Sequence, residues 1–248
     1  MRLKGKTAII TGGAQGFGAG MAAKFVAEGA QVMLADLNAD QAQETAANLG
    51  SAATAHHTDV TDAASVAGMI STAQDLWGKI DILINNAGVT HLPAALEDVS
   101  EEDFDRVVAV NMKAVYLTTR AILPLMKAQQ SGVILNIAST AGVSPRPRLN
   151  WYNASKGWLI TATKAMAVEL APEGIRVNAL NPVAGETPLL ASFMGEDTPE
   201  MRAKFLSTIP IGRFSTPEDL GNAACYLASD EASMITGLAM EVDGGRCI

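Results

Sequence analysis

The sequence predicts an α/β domain, a parallel sheet with helices on both faces. Three observations carry this reading. Short β-rich runs alternate with longer amphipathic stretches along the whole chain. Several of the runs are apolar at nearly every position, as expected for strands covered on both faces. No Pro/Ser-rich linker, low-complexity tract or repeat interrupts the alternation, so residues 1–248 are read as one domain.

The elements follow in order. Strands are expected at 7–11, 31–35, 52–57, 80–85, 133–138, 175–180 and 238–242. Helices are expected at 17–28, 39–48, 62–76, 101–129, 152–170 and 217–228. Each strand–helix–strand unit makes a crossover that returns the chain to the same sheet edge-on and parallel. Residues 182–198 show neither period and carry Pro182, Gly185, Pro188 and Gly195. A long aperiodic stretch in a compact domain is read as a binding loop, here part of a substrate lid over 182–210.

Composition narrows the function classes. Eighteen basic against 26 acidic side chains give a net charge of −8, which argues against a nucleic-acid partner. Cys225 and Cys247 are too few for a disulfide framework or a four-thiolate zinc site. His56 and His57 fall on a strand and, with His91, lack metal-ligand spacing, so no metal is expected. With no signal-like leader and no apolar run of membrane length, a cytoplasmic protein without a membrane partner is expected.

Thr11-Gly12-Gly13-Ala14-Gln15-Gly16-Phe17-Gly18 closes the first strand and opens the first helix. Glycines there let the backbone turn tightly, and the helix start offers free N–H groups to a pyrophosphate. A plain strand–helix turn with no ligand is the competing explanation. Asp36 ends the second strand, 18 residues beyond Gly18. A carboxylate there can accept from adenosine ribose hydroxyls and repels a 2′-phosphate. No Arg or Lys follows at 37–40, so the expected cofactor is NAD rather than NADP. Asp36 could instead cap the next helix, although Asn38 is available for that.

Tyr152 and Lys156 stand four apart at a helix start, on one face and one turn apart. A cation near a phenol favours the phenolate, and such a pair can exchange a proton with an alcohol or carbonyl. The spacing alone also fits an ordinary surface helix. Its company is more specific: Asn85-Asn86-Ala87-Gly88 after the fourth strand, Asn111 in the long helix, Ser139 after the fifth strand, and Asn181-Pro182 after the sixth.

In these motifs, their order and spacing, the chain resembles the classical short-chain dehydrogenase/reductases from Lys6 to Asp243-Gly244-Gly245. The resemblance implies a single Rossmann-type, doubly wound, seven-stranded sheet in the order 3-2-1-4-5-6-7 and a nicotinamide cofactor. It implies that Tyr152 is the acid/base and that Lys156 lowers its pKa and holds the nicotinamide ribose. Ser139 would hydrogen-bond the reacting oxygen, and Asn111 would hold a water for proton relay. Gly12, Gln15, Gly16, Phe17 and Gly18 would meet the pyrophosphate, and Asp36 and Leu37 the adenosine ribose. Asp59 and Val60 would meet the adenine. Asn86, Ala87 and Gly88 would line the central cleft, with Pro182, Val183 and Thr187 beside the nicotinamide. Assembly is expected as a homotetramer or dimer through the tyrosine-bearing helix and the C-terminal strand. Two departures stand out: Phe17 replaces a small aliphatic residue, and Val183-Ala184-Gly185 replaces a glycine directly after Pro182.

The expected reaction is NAD(H)-dependent interconversion of a secondary alcohol and a ketone, on a sugar, polyol, cyclic diol or similar small hydroxy compound. Substrate contacts are expected from His91, Arg146, Arg148 and Trp151, the arginines suiting an anionic or polyhydroxylated substrate. Exposed-loop or subunit-contact roles compete for these four residues. A 3-oxoacyl-[acyl-carrier-protein] reductase is the rival within the class, and Asp36 counts against it. A nucleotide-sensing Rossmann module is the rival outside it, and the presence of all four of Asn111, Ser139, Tyr152 and Lys156 counts against that.

Overall fold

The computed structural model describes residues 1–195 and 197–248. Seven parallel strands form one sheet: β1 (Thr7–Thr11), β2 (Gln31–Asp36), β3 (Ala53–His57), β4 (Ile82–Asn85), β5 (Gly132–Ile137), β6 (Ile175–Pro182) and β7 (Ala239–Val242). Their order is β3-β2-β1-β4-β5-β6-β7, as the resemblance implies. The helices are α1 (Gly16–Ala27), α2 (Ala39–Leu49), α3 (Ala63–Trp77), α4 (Glu101–Val108), α5 (Ala114–Gln129), α6 (Asn150–Leu170), α7 (Leu190–Met194), α8 (Pro199–Leu206) and α9 (Pro217–Ala228).

Consecutive apolar strand residues serve opposite faces. Ile10, Leu34 and Ile84 pack with Met21 and Phe25 of α1 and Leu220 and Ala224 of α9. Ile9, Met33 and Leu83 pack on the other side with Met69 of α3, Ile122 of α5 and Ala167 of α6. This two-sided burial is why the strands read as nearly unbroken apolar runs. Register follows from it, since a one-residue slip would exchange the two cores.

Three expectations need correction. The stretch 101–129 is not one helix: Ala109–Lys113 is wound as a π-helix between α4 and α5. That bulge, with its wider i→i+5 winding, carries Asn111. The stretch 182–198, read as an aperiodic loop, holds α7, and the wider lid range 182–210 also holds α8; both helices are too short for a helical period to stand out. Asn181 and Pro182 end β6 rather than follow it, because Pro182 pairs with Val242 at the exposed-edge side of the sheet. No helix among the described residues is long and apolar enough to cross a membrane.

Candidate active site

The chain reverses direction across the sheet between β1 and β4, so their carboxyl ends diverge and leave a crevice. Around it lies a cleft of about 490 Å³. Thr11 and Asn86 tie its two banks together. The Asn86 side-chain amide donates to the carbonyls of Thr11 and Gly12 at 2.9 and 2.8 Å. The Thr11 hydroxyl accepts from the amides of Asn86 and Ala87. Gly12, at φ +62°, lies so close to this loop that a Cβ would stand 2.9 Å from the Ala87 Cα.

The glycine turn leads to a helix start left open. Gln15 makes no side-chain cap on α1, and the first turn holds no acidic residue. By contrast α2, α3, α4 and α9 are each capped by a side chain, of Asn38, Asp62, Ser100 and Thr216. Free N–H groups at a helix start facing a cleft fit an anionic group. Asp36 is not spent as a cap, since Asn38 caps α2. Its Oδ2 accepts from the Ala14 amide at 3.0 Å, which pins the glycine turn, and the residue lines the cleft. Leu37, Asp59 and Val60 line the same end. Gly18 does not line it; a Cβ there would stand 2.1 Å from the Gly12 carbonyl oxygen, so its glycine serves helix–turn packing.

At the other end Ser139, Tyr152 and Lys156 open into the same cleft. Ser139 Oγ accepts from the Ala141 amide at 3.1 Å. Lys156 Nζ donates to the Ile137 carbonyl at 2.8 Å and lies 5.8 Å from the Tyr152 ring centroid. Asn111 stands behind the wall: its Oδ1 accepts from the Val89 amide, and its Nδ2 donates to the Val89 carbonyl and to Ser155 Oγ. Glycine at 88 makes room, because a Cβ would lie 3.4 Å from Lys156 Nζ and 3.5 Å from Asn111 Oδ1.

The electrostatics differ from the sequence-based expectation. Burial pushes the Tyr152 phenol up to about 12, while the Ser139 hydroxyl and the Arg146 charge draw it down. Burial pulls the Lys156 ammonium down to about 8. Burial, the Ser139 hydroxyl and the Arg146 charge are, in that order, the influences on the Tyr152 phenol in the free chain.

The two sequence departures form one contact. A Cβ on Gly185 would stand 2.1 Å from Cζ of Phe17, so the ring occupies the space a side chain at 185 would need. Gln15, Gly16, Phe17, Pro182, Val183 and Thr187 all line the cleft around that contact.

Of the four expected substrate contacts, only Arg146 lines the cleft. Arg148 is exposed, with a left-handed φ of 68° just before α6. Trp151 turns away to an edge-on contact with Phe104. His91 is not an exposed loop residue but buried, its Nδ1 within 2.8 Å of the Leu92 carbonyl. Phe193 of α7, one of the apolar residues that the 182–210 lid offers, packs edge-on against Tyr152 at 5.0 Å between ring centroids.

A family model described as enoyl-(acyl carrier protein) reductase matches residues 12–246. The chain belongs to the short-chain dehydrogenase/reductase family. It is 47% identical to the 4-formylbenzenesulfonate dehydrogenase TsaC1/TsaC2 of Comamonas testosteroni, over all of both chains. It is 40% identical to the 3-oxoacyl-[acyl-carrier-protein] reductase FabG of Thermotoga maritima, again over all of both. A solved structure of a 3-ketoacyl-(acyl-carrier-protein) reductase from Brucella melitensis complexed with NADH superposes with a TM-score of 0.95 at 50% identity, covering 99% of this chain and 100% of that one.

Proposed function

We propose that the chain is an NAD(H)-dependent oxidoreductase that interconverts a secondary alcohol and a ketone on a small hydroxy compound. The observation that carries this reading is a single cleft with the uncapped start of α1 and Asp36 at one end and Ser139, Tyr152 and Lys156 at the other. The NADH complex of the Brucella melitensis structure supports a nicotinamide cofactor. The Asp36 carboxylate, with no base at 37–40, supports NAD over NADP.

The residues fit such a cofactor. The open N–H groups of α1 suit a pyrophosphate, Asp36 the adenosine ribose, and Leu37, Asp59 and Val60 the adenine. Asn86 to Gly88, Val183, Thr187 and Lys156 suit the nicotinamide end. A bound nicotinamide supplies the hydride acceptor or donor. Tyr152 Oη takes the alcohol proton as phenolate, or gives a proton to the carbonyl oxygen as phenol. Ser139 Oγ donates to the oxygen as negative charge develops on it. Phe193, packed on Tyr152, keeps water from the phenol. The lid cluster under it (Val183, Leu190, Met194, Ile209 and Phe214) supports a closing role for 182–210. Exposed Trp158 and Val168 on α6 support assembly of copies through the tyrosine-bearing helix.

The names of two relatives favour the alternative, a 3-oxoacyl thioester reductase. A screen by NADH absorbance separates the readings, using sugars, sugar acids, cyclic diols, secondary alcohols and 3-hydroxyacyl thioesters with NAD and NADP side by side. Turnover with NAD above NADP is expected. Tyr152→Phe should lose turnover by about 100- to 10,000-fold and keep NADH binding. Near-normal turnover in that variant overturns the acid/base assignment. NADH binding without turnover of any compound points to the nucleotide-sensing module instead. With the phenol held near 12, oxidation should speed up as pH rises and the phenolate forms, and reduction should slow. Initial rates in both directions across alkaline pH check that sign.

A further inference from the structure

Arg146 is the cleft residue whose donors have no work. Arg146 is half-buried, and its guanidinium carbon lies over the Phe205 ring of α8, 4.4 Å from the centroid. Yet it makes no side-chain hydrogen bond and no ion pair among the described residues. Arg176, also half-buried, shows the ordinary arrangement: its guanidinium donates to the carbonyls of Ile235 and Ser229. Arg2, Arg106, Arg202 and Arg213 each hold a carboxylate. A guanidinium carries five donors, and removing it from water without partners is costly. The contact with Phe205 holds the group in place without using its N–H donors, which can grip a carboxylate or sulfonate through two parallel bonds.

A second cation stands beside it. The Arg246 charge is near enough that, after burial, it is the next cause holding the Arg146 guanidinium below its ordinary value. Among the described residues Arg246 Nε is buried with no partner, and Nη1 reaches only the Ser144 hydroxyl, at 3.5 Å. The Asp243 carboxylate forms no ion pair with Arg246 among the described residues. Asp243 spends its oxygens on the backbone amides of Gly245 and Cys247, at 2.9 and 2.8 Å. Neither Arg146 nor Arg246 has an ion-pair partner among the described residues, in a chain with 26 acidic and 18 basic side chains. Arg146 lines the cleft and Arg246 adds positive potential behind it, a field that favours a ligand of opposite sign.

Position fixes what that ligand is. Arg146 shares the cleft with Ser139, Tyr152 and Phe193, and its backbone carbonyl is held by the Asn153 side chain at 2.7 Å. The anion site is therefore built onto the start of the helix that carries the tyrosine. The walls between are apolar and aromatic, with Leu149, Phe193 and Leu189. We infer that the substrate is a compact hydroxy or oxo compound whose far end bears a carboxylate or sulfonate, bound by Arg146 with Arg246 as the second positive charge. The inference rests on the oxidoreductase reading for the reaction, but not for the anion binding itself.

The test uses full-length protein saturated with NAD and measures calorimetric affinities for benzoate, benzenesulfonate and the neutral benzamide. The wild type should bind at least one of the anions about tenfold or more tightly than benzamide. Arg146→Ala should bring that ratio close to one, Arg146→Lys should keep part of it, and Arg246→Gln should reduce it less. The ratio cancels any effect of the substitution on lid stacking or on Tyr152, and thermal unfolding confirms that each variant is folded. Equal affinity for anions and benzamide in the wild type overturns the inference, as does a ratio unchanged in folded Arg146→Ala. A parallel comparison of kcat/KM for 1-phenylethanol and its 4-carboxylate separates the two claims. Anion binding without turnover of either alcohol would count against the oxidoreductase reading alone, and turnover without anion preference against the anion site alone.

Discussion

The two ends of the cleft are held in place by different physics. At the Asp36 end, polar side chains bind backbone. Asn86 bridges two carbonyls of the glycine turn, Asp36 holds the Ala14 amide, and glycines at 12 and 18 allow contacts that any Cβ would prevent. The lid end is held mainly by packing. Val183, Leu190, Met194, Ile209 and Phe214 form a small cluster separate from the two sheet cores, and α8 has no fully buried residue. Hydrogen bonds fix direction as well as distance, so the first end is a rigid mould. A small satellite cluster can open without unfolding the sheet, which suits the closing role proposed for 182–210.

The sharpest way to break that contrast is at the contact joining the two ends. Gly185→Ala places a methyl where the Phe17 ring lies and 3.0 Å from the Ser215 carbonyl oxygen, so the ring must swing into the cleft. Overpacking of this kind costs about 1–3 kcal/mol, which predicts a loss of NADH affinity of roughly 5- to 100-fold. Phe17→Ala in the same chain should restore most of it. If the double variant is no better than Gly185→Ala alone, the two departures are not one feature.

A smaller effect is expected within the rigid end. Asp36→Asn keeps an acceptor for the Ala14 amide and removes the charge facing a 2′-phosphate. The NAD-over-NADP ratio of kcat/KM should narrow by about tenfold, as expected for the loss of one charge-assisted contact. An unchanged ratio would leave the carboxylate with only its role in pinning the turn.

The smallest global effect belongs to the lid. Met69→Ala, in the sheet core, should lower the unfolding midpoint by roughly 5–15 °C. Met194→Ala removes the same side chain from the lid cluster and should lower it by well under half of that, while proteolysis within 183–214 speeds up. Equal midpoints would mean that the lid and the sheet unfold as one unit.

The same division explains what could be read in advance. The glycine turn, Asp36, Asn86, Ser139, Tyr152 and Lys156 stand out because each does a local job at a strand end or helix start, where the residue type is dictated by a backbone shape or a proton. Asn111 was legible as a position but not as a π-bulge, since i→i+5 winding has no sequence period of its own at one turn. Arg246 was invisible beside Arg146 because 100 residues separate them in sequence and nothing in either segment marks the pairing.

The sequence by itself determined the sheet, its two covered faces and the placing of Tyr152 and Lys156 one turn apart on a helix, because hydrophobic period and residue type act over short stretches of chain. Tertiary structure alone decided the rest. It sent His91 into the interior and Arg148 and Trp151 away from the cleft, and it used the Phe17 ring to close the space over Gly185. It also set Arg146 on Phe205, a cation with no ion pair among the described residues, within the same cleft as Tyr152. Those outcomes depend on which segments meet after folding, and burial, not spacing, then fixes how each charge behaves.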